Sequence, residues 1–181
     1  MQHLSDGVTE VGLAARPVPG LAYILGLAGL LPFIACGMLS VKADPVAAAR
    51  GLVALDAYGA VILSFLGAVH WGLALAEQPG GAAAYTAWPL PGVQRARLAL
   101  GVLPALVGWL ALLLPEALPY WSGLLLLILG FAGTTTVEAR AARRGLLPRG
   151  YMRLRWLLSG VVVAVLIGVL ALRLLGASIN W

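Results

Sequence analysis

YGAVILSFLGAVHWGLAL, residues 58–75, is the stretch that decides the fold. A bilayer core is crossed by about 20 apolar residues in a helix, and with its flanks this run is long enough. His70 and Trp71 stand inside it, so an ionisable ring lies at membrane depth, where burial is costly and calls for a partner or a role. At 100° per residue Asp56, Ala60, Leu63, Gly67, His70 and Ala74 fall on one stripe, expected to face the bundle interior. Ala60, Ser64, Ala68 and Gly72 recur every four residues. Together with Gly59, Gly67 and, in a later span, Gly130, they are the expected positions of close helix approach.

The rest of the chain has the same character. Of its 181 residues 61% are hydrophobic and only 10% charged, against about 25% charged in an ordinary soluble domain. The apolar residues come in long runs separated by Pro, Gly, Arg or Glu, the pattern of an integral membrane protein. The formal charge of +5 is not a nucleic-acid signature, because six of the twelve basic residues fall within 140–155, beside a span. Anionic lipid head groups are the expected partners there. Cys36 is the only cysteine and reads as packing. The first fifteen residues lack a basic start and a compact apolar run, so the first span is expected to direct its own insertion.

Taken in order, the chain reads as an all-α, polytopic membrane helix bundle. Residues 1–17 form a polar arm, 18–176 the membrane domain and 177–181 a short tail. Five spans are expected, over about 19–41, 57–76, 98–114, 120–137 and 156–175. Pro32 should kink the first, with a hydroxyl, a neighbouring helix or water satisfying the freed carbonyl. Residues 46–55 are expected to form a separate interfacial helix, since 46–77 exceeds one crossing. The basic segment 139–155 reads as a loop. Five spans place nine Lys and Arg on the N-terminal side and three on the other. The N-terminus is then cytoplasmic and the C-terminus periplasmic in a bacterial inner membrane, with the matrix replacing the cytoplasm in a mitochondrion.

This topology brings distant polar residues to one depth. His70, Trp71, Thr134, Ser159 and Glu138 are the candidate ligand-binding residues, gathered in the cytoplasmic leaflet. Asp56 and Arg173, at matching depth near the opposite face, are a candidate ion pair. Each has a plainer reading, since His, Ser and Thr also join helices by hydrogen bonds and charged groups near helix ends reach to the interface. Catalytic patterns are missing: there is no HExxH, CxxC, GxSxG or P-loop, and two histidines cannot build a histidine-rich metal site. No catalytic residue, metal site or obligatory cofactor is expected. The leading functional reading is a non-catalytic accessory, scaffold or assembly subunit that packs on other membrane proteins. The alternative is binding of a quinone or lipid head group around His70, and transport or proton conduction ranks last because no continuous polar path is evident.

Tyr58, Gly59, Ala60, then Ser64, Phe65, Leu66, Gly67, then His70, Trp71, Gly72, with Tyr151, Leu154 and Arg155 further on, resemble the motif of the transmembrane protein 69-like family. That resemblance implies a small multi-span inner-membrane protein of bacteria or mitochondria and no established reaction.

Overall fold

The computed structural model describes residues 19–76, 92–143 and 151–176; the expected N-terminal arm, most of the connections and the C-terminal tail lie outside the described residues, as does the side chain of Ala74. Six helices follow one another: α1 Gly20–Ala28, α2 Leu30–Ser40, α3 Pro45–Ala76, α4 Gly92–Ala117, α5 Trp121–Arg143 and α6 Tyr151–Leu174. With α1 and α2 counted as one rod, five segments are long and apolar enough to cross a membrane. α3 packs against α2, α4 and α5, while α6 lies on α5, α2 and α1. We call basic the end at which α3 and α5 finish and α6 begins, after the arginines that cluster there.

The first span breaks where its proline predicts. Pro32 offers no N–H to the carbonyl of Ala28, and its ring crowds that carbonyl. The helix accordingly stops at Ala28 and restarts at Leu30, with Gly29 between them. The Tyr58 hydroxyl donates to the Gly29 carbonyl at 3.0 Å, so a side chain of α3 serves the exposed backbone of the joint.

α3 differs from the expected arrangement. It is one helix of 32 residues, about 48 Å at 1.5 Å per residue, and residues 46–55 are not a separate interfacial helix. Asp44 starts it: its carboxylate accepts from Val46 N and Ala47 N, both at 3.2 Å, and Pro45 takes the first helical position. No proline interrupts the helix that follows. Its first turns are held by packing, for Ala48, Leu52 and Leu55 are buried. A Cβ on Gly51 would lie 2.5 Å from Ser40 N, so the end of α2 rests on α3 backbone. A helix longer than the bilayer accommodates it by tilt or by standing proud. α5 and α6 also run further than expected, to Arg143 and from Tyr151, drawing residues of the supposed basic loop into helices.

The stripe read on α3 faces inward as expected: Asp56, Ala60 and Leu63 are buried and His70 is half-buried. Its closest approach is to α4. A Cβ on Gly67 would sit 2.2 Å from the Gly101 carbonyl oxygen, and Gly108 meets the backbone of Ala60. Gly59 accepts the Leu127 side chain of α5, and Gly130 of α5 accepts Leu63. Ser64 bonds its own helix, at the Ala60 carbonyl, 2.7 Å away. Ala68 and Gly72 lie on the outer side, with open space around Gly72. Around this frame Leu55, Leu63, Leu124, Leu127 and Leu166 are fully buried. Phe33 stands edge-on to Tyr58 at 4.9 Å and to Phe131 at 6.0 Å, joining α2, α3 and α5.

Gly67→Ala should destabilise the bundle by about 1–3 kcal/mol, the range for overpacking, because backbone and not a flexible side chain is in the way; Gly72→Ala should be neutral. Thermal melting in one detergent compares the two, and equal melting would refute the α3–α4 contact. Tyr58→Phe should accelerate hydrogen exchange at the amides flanking Gly29 while shifting global stability by less than about 1 kcal/mol. Unchanged exchange there would mean that Tyr58 does not hold the joint.

Candidate functional site

The sequence-derived candidates gather at the basic end in two groups on either side of α5. The first surrounds a cavity of about 280 Å³ between α3, α4 and α5, lined by His70, Leu103, Pro104, Gly130, Gly133 and Thr134 among others. Pro104 and Gly133 open this space. A proline gives α4 no amide to bond back to Leu100, and Gly133 leaves α5 without side-chain bulk, with nothing within 4 Å of where its Cβ would lie. The lining is otherwise apolar, so His70 and Thr134 are its polar groups. His70 Nδ1 is buried and has no hydrogen-bond partner among the described residues.

The second group lies between α5 and α6. Glu138 and Arg155, 1% and 5% exposed, form a direct ion pair through the Arg155 Nε and Glu138 Oε2. Arg155 Nη2 also donates to Thr134 Oγ1 at 3.1 Å. Thr134 in turn donates to the Phe131 carbonyl at 3.0 Å. A buried charge pair of this kind is tolerable when its remaining hydrogen-bond capacity is also met, and the threonine meets part of it. Tyr151 couples electrostatically to both members of the pair. One turn further in, the hydroxyls of Thr135 and Ser159 are bonded at 3.0 Å. Thr134, Thr135 and Thr136 each donate to a helical carbonyl of α5.

The five candidates are therefore not one pocket. His70 and Thr134 share a cavity; Thr134 reaches Glu138 through Arg155; Ser159 pairs with Thr135; Trp71 stands apart. The Trp71 indole is 45% exposed and donates from Nε1 to the Leu98 carbonyl at 3.0 Å, serving the α3–α4 contact. Arg155 is the residue that the sequence reading misplaced. It sits in the helix and not in a loop facing lipid head groups. The available signal was its position at the very start of the apolar run, one helical turn after Tyr151 and so on the same face.

At the other end Asp56 and Arg173 come together but form no direct ion pair among the described residues. Arg173 Nη1 donates to the Ser40 carbonyl at 2.8 Å, and its guanidinium lies 5.0 Å over the Tyr120 ring. It acts on Asp56 through space. Asp56 Oδ1, Ser122 Oγ and Arg173 Nε are buried there without partners among the described residues.

The comparisons with known proteins agree with this architecture and leave the chemistry open. The chain is 34% identical to Transmembrane protein 69 of Xenopus tropicalis over 155 residues, 86% of this chain and 55% of the relative, so that it spans about half the length of that protein. No solved structure matches it. Residues 18–171 match the model of a family described as proteins of unknown function, DUF3429, and the chain belongs to that family.

Proposed function

We propose that this multi-pass membrane protein binds the polar end of a small amphiphile, a quinone or a lipid head group, in the cavity beside His70. The observation that carries the reading is the His70 Nδ1, buried without a partner among the described residues on a ring that lines an otherwise apolar cavity with Thr134. A buried polar atom left unpaired costs about 1–3 kcal/mol, and a ligand that supplies the missing bond recovers it. Pockets with an apolar body and few convergent polar groups suit such ligands. The arginines of the basic end support a location at the cytoplasmic face of a bacterial inner membrane, or the matrix face of a mitochondrial one.

A second reading, an accessory subunit that docks on a larger membrane complex, draws support from α6. Gly123 and Gly130 are consumed by contacts inside the bundle, whereas Gly160 and Gly168 have open space around them and Ala164 between them is exposed. Small residues at this spacing permit close approach by another helix.

Native mass spectrometry of the gently extracted protein separates the readings. The amphiphile reading expects a co-purifying small molecule whose retention falls about tenfold in His70→Leu, equivalent to 1.4 kcal/mol, with melting unchanged. A stoichiometric protein partner and no small molecule would favour the accessory reading. The ion pair behaves differently, because removing one member strands a buried charge. Arg155→Ala should destabilise the protein by about 3–5 kcal/mol, while the joint replacement Glu138→Leu with Arg155→Met should recover much of that loss. A double variant as unstable as the single one would show that the pair is not self-contained.

A further inference from the structure

A second and larger cavity, about 460 Å³, lies on the opposite side of α5, bounded by α1, α2, α3, α5 and α6. Its form is that of a slot. α1 rests on α6 but has no close backbone approach to α3, and none of its residues is buried. Phe65 of α3 lines the cavity and is 67% exposed, so the opening lies between α1 and α3 and faces sideways, toward lipid. From Tyr151 to Val162 the lining of α6 extends about 16 Å along the helix, and the inner end is closed by Phe33 and Phe131.

The polar groups in the slot are confined to its basic half: Tyr151, Arg155 and Ser159. Arg155 is the informative one. It is nine-tenths buried and fixed in direction by Glu138 and Thr134. Two of the five guanidinium donors are engaged in those contacts. Its charge is already balanced by Glu138, so an anionic head group would compete with a buried ion pair for the same cation and leave one charge unmatched, which is costly in a dry site. Neutral acceptor oxygens take the remaining donors without that conflict.

We propose that this slot is a lateral binding site for one uncharged, long-chain amphiphile drawn from the bilayer, its carbonyl or hydroxyl oxygens at Tyr151, Arg155 and Ser159 and its chain running inward to Phe33 and Phe131. Glycerides and prenylated quinones share this chemistry. The site is separate from the His70 cavity, although Thr134 lines that cavity and also holds the arginine of this one.

The test uses the full chain in nanodiscs with two diazirine-tailed probes, a neutral monoacylglycerol and an anionic phosphatidylglycerol. The neutral probe should label Phe65, Leu154 and Leu158 well above the outward-facing Ile167 and Leu174. Ala22→Trp, which fills the slot from the loosely packed α1, should reduce that labelling at least about fivefold, and Tyr151→Phe about fivefold or less, the value of one neutral hydrogen bond. His70→Leu should leave it unchanged, so that failure here and failure of the His70 reading are separate results. Competition by dioleoylglycerol or by a prenylated quinone identifies the source, and either supports the site. Equal labelling by the anionic probe, labelling spread evenly over the lipid-facing surface, insensitivity to Ala22→Trp, loss in His70→Leu, or competition by neither neutral lipid would overturn it.

Discussion

Backbone contact between α3 and α4 is the constraint on which the basic half of the bundle depends. At Gly67 the two helices approach until no Cβ fits, with the Gly101 carbonyl 2.2 Å from where one would lie. Without a hydrophobic force between helices in lipid, such contacts must supply the packing themselves. The crossing fixes the azimuth of α3. His70, three residues on, is then turned toward α5, while Trp71 is turned onto α4 and bonds the Leu98 carbonyl. Pro104, one turn beyond Gly101, lines the cavity that opens past the crossing. Gly133 of α5, with nothing within 4 Å of where its Cβ would lie, leaves the space beside that contact unfilled.

α5 divides the two cavities, and its polar residues form the dividing wall. Thr134 faces one side and accepts a bond from the arginine of the other. The wall contains a full ion pair, yet it adds no net charge to either space. That balance explains how a carboxylate only 1% exposed can be carried within a membrane helix, since an isolated charge there would be expelled or neutralised. It also makes the wall rigid, because each member orients the next.

Much of this was legible in the sequence. Five spans follow from run lengths, the joint at Gly29 from Pro32, and the inward stripe of α3 from 100° periodicity alone. Two features were not. Continuity of α3 depends on α2 lying across Gly51, a tertiary contact that holds turns which length arguments assign to the interface. Arg155 was hidden for a related reason: a charged residue at the edge of an apolar run reads equally as a snorkelling head-group contact or as a buried partner. Only the placement of Glu138, seventeen residues earlier on a neighbouring helix, decides between them. The candidates chosen for being polar at one depth lie toward one end of the bundle, and azimuth separates them.

The two ends of the bundle settle the same electrostatic problem differently. At the basic end a guanidinium and a carboxylate bond directly and recruit a threonine. At the other, Arg173 gives its hydrogen bond to a backbone carbonyl and its face to Tyr120, and Asp56 is left with an oxygen that no described residue bonds. Ser122 and the Arg173 Nε are left in the same condition. Ser122 and Arg173 stand at the ends of α5 and α6, where water lies within reach of a span terminus, the same reason that long charged side chains are tolerated there. Asp56 stands eleven residues inside α3. His70 is likewise inside the helix. It lies six residues inside the end of α3, about 9 Å along the axis, among apolar walls. Among the described residues its Nδ1 is a buried atom without a partner, on a ring that lines an otherwise apolar cavity, and a ligand is its natural complement.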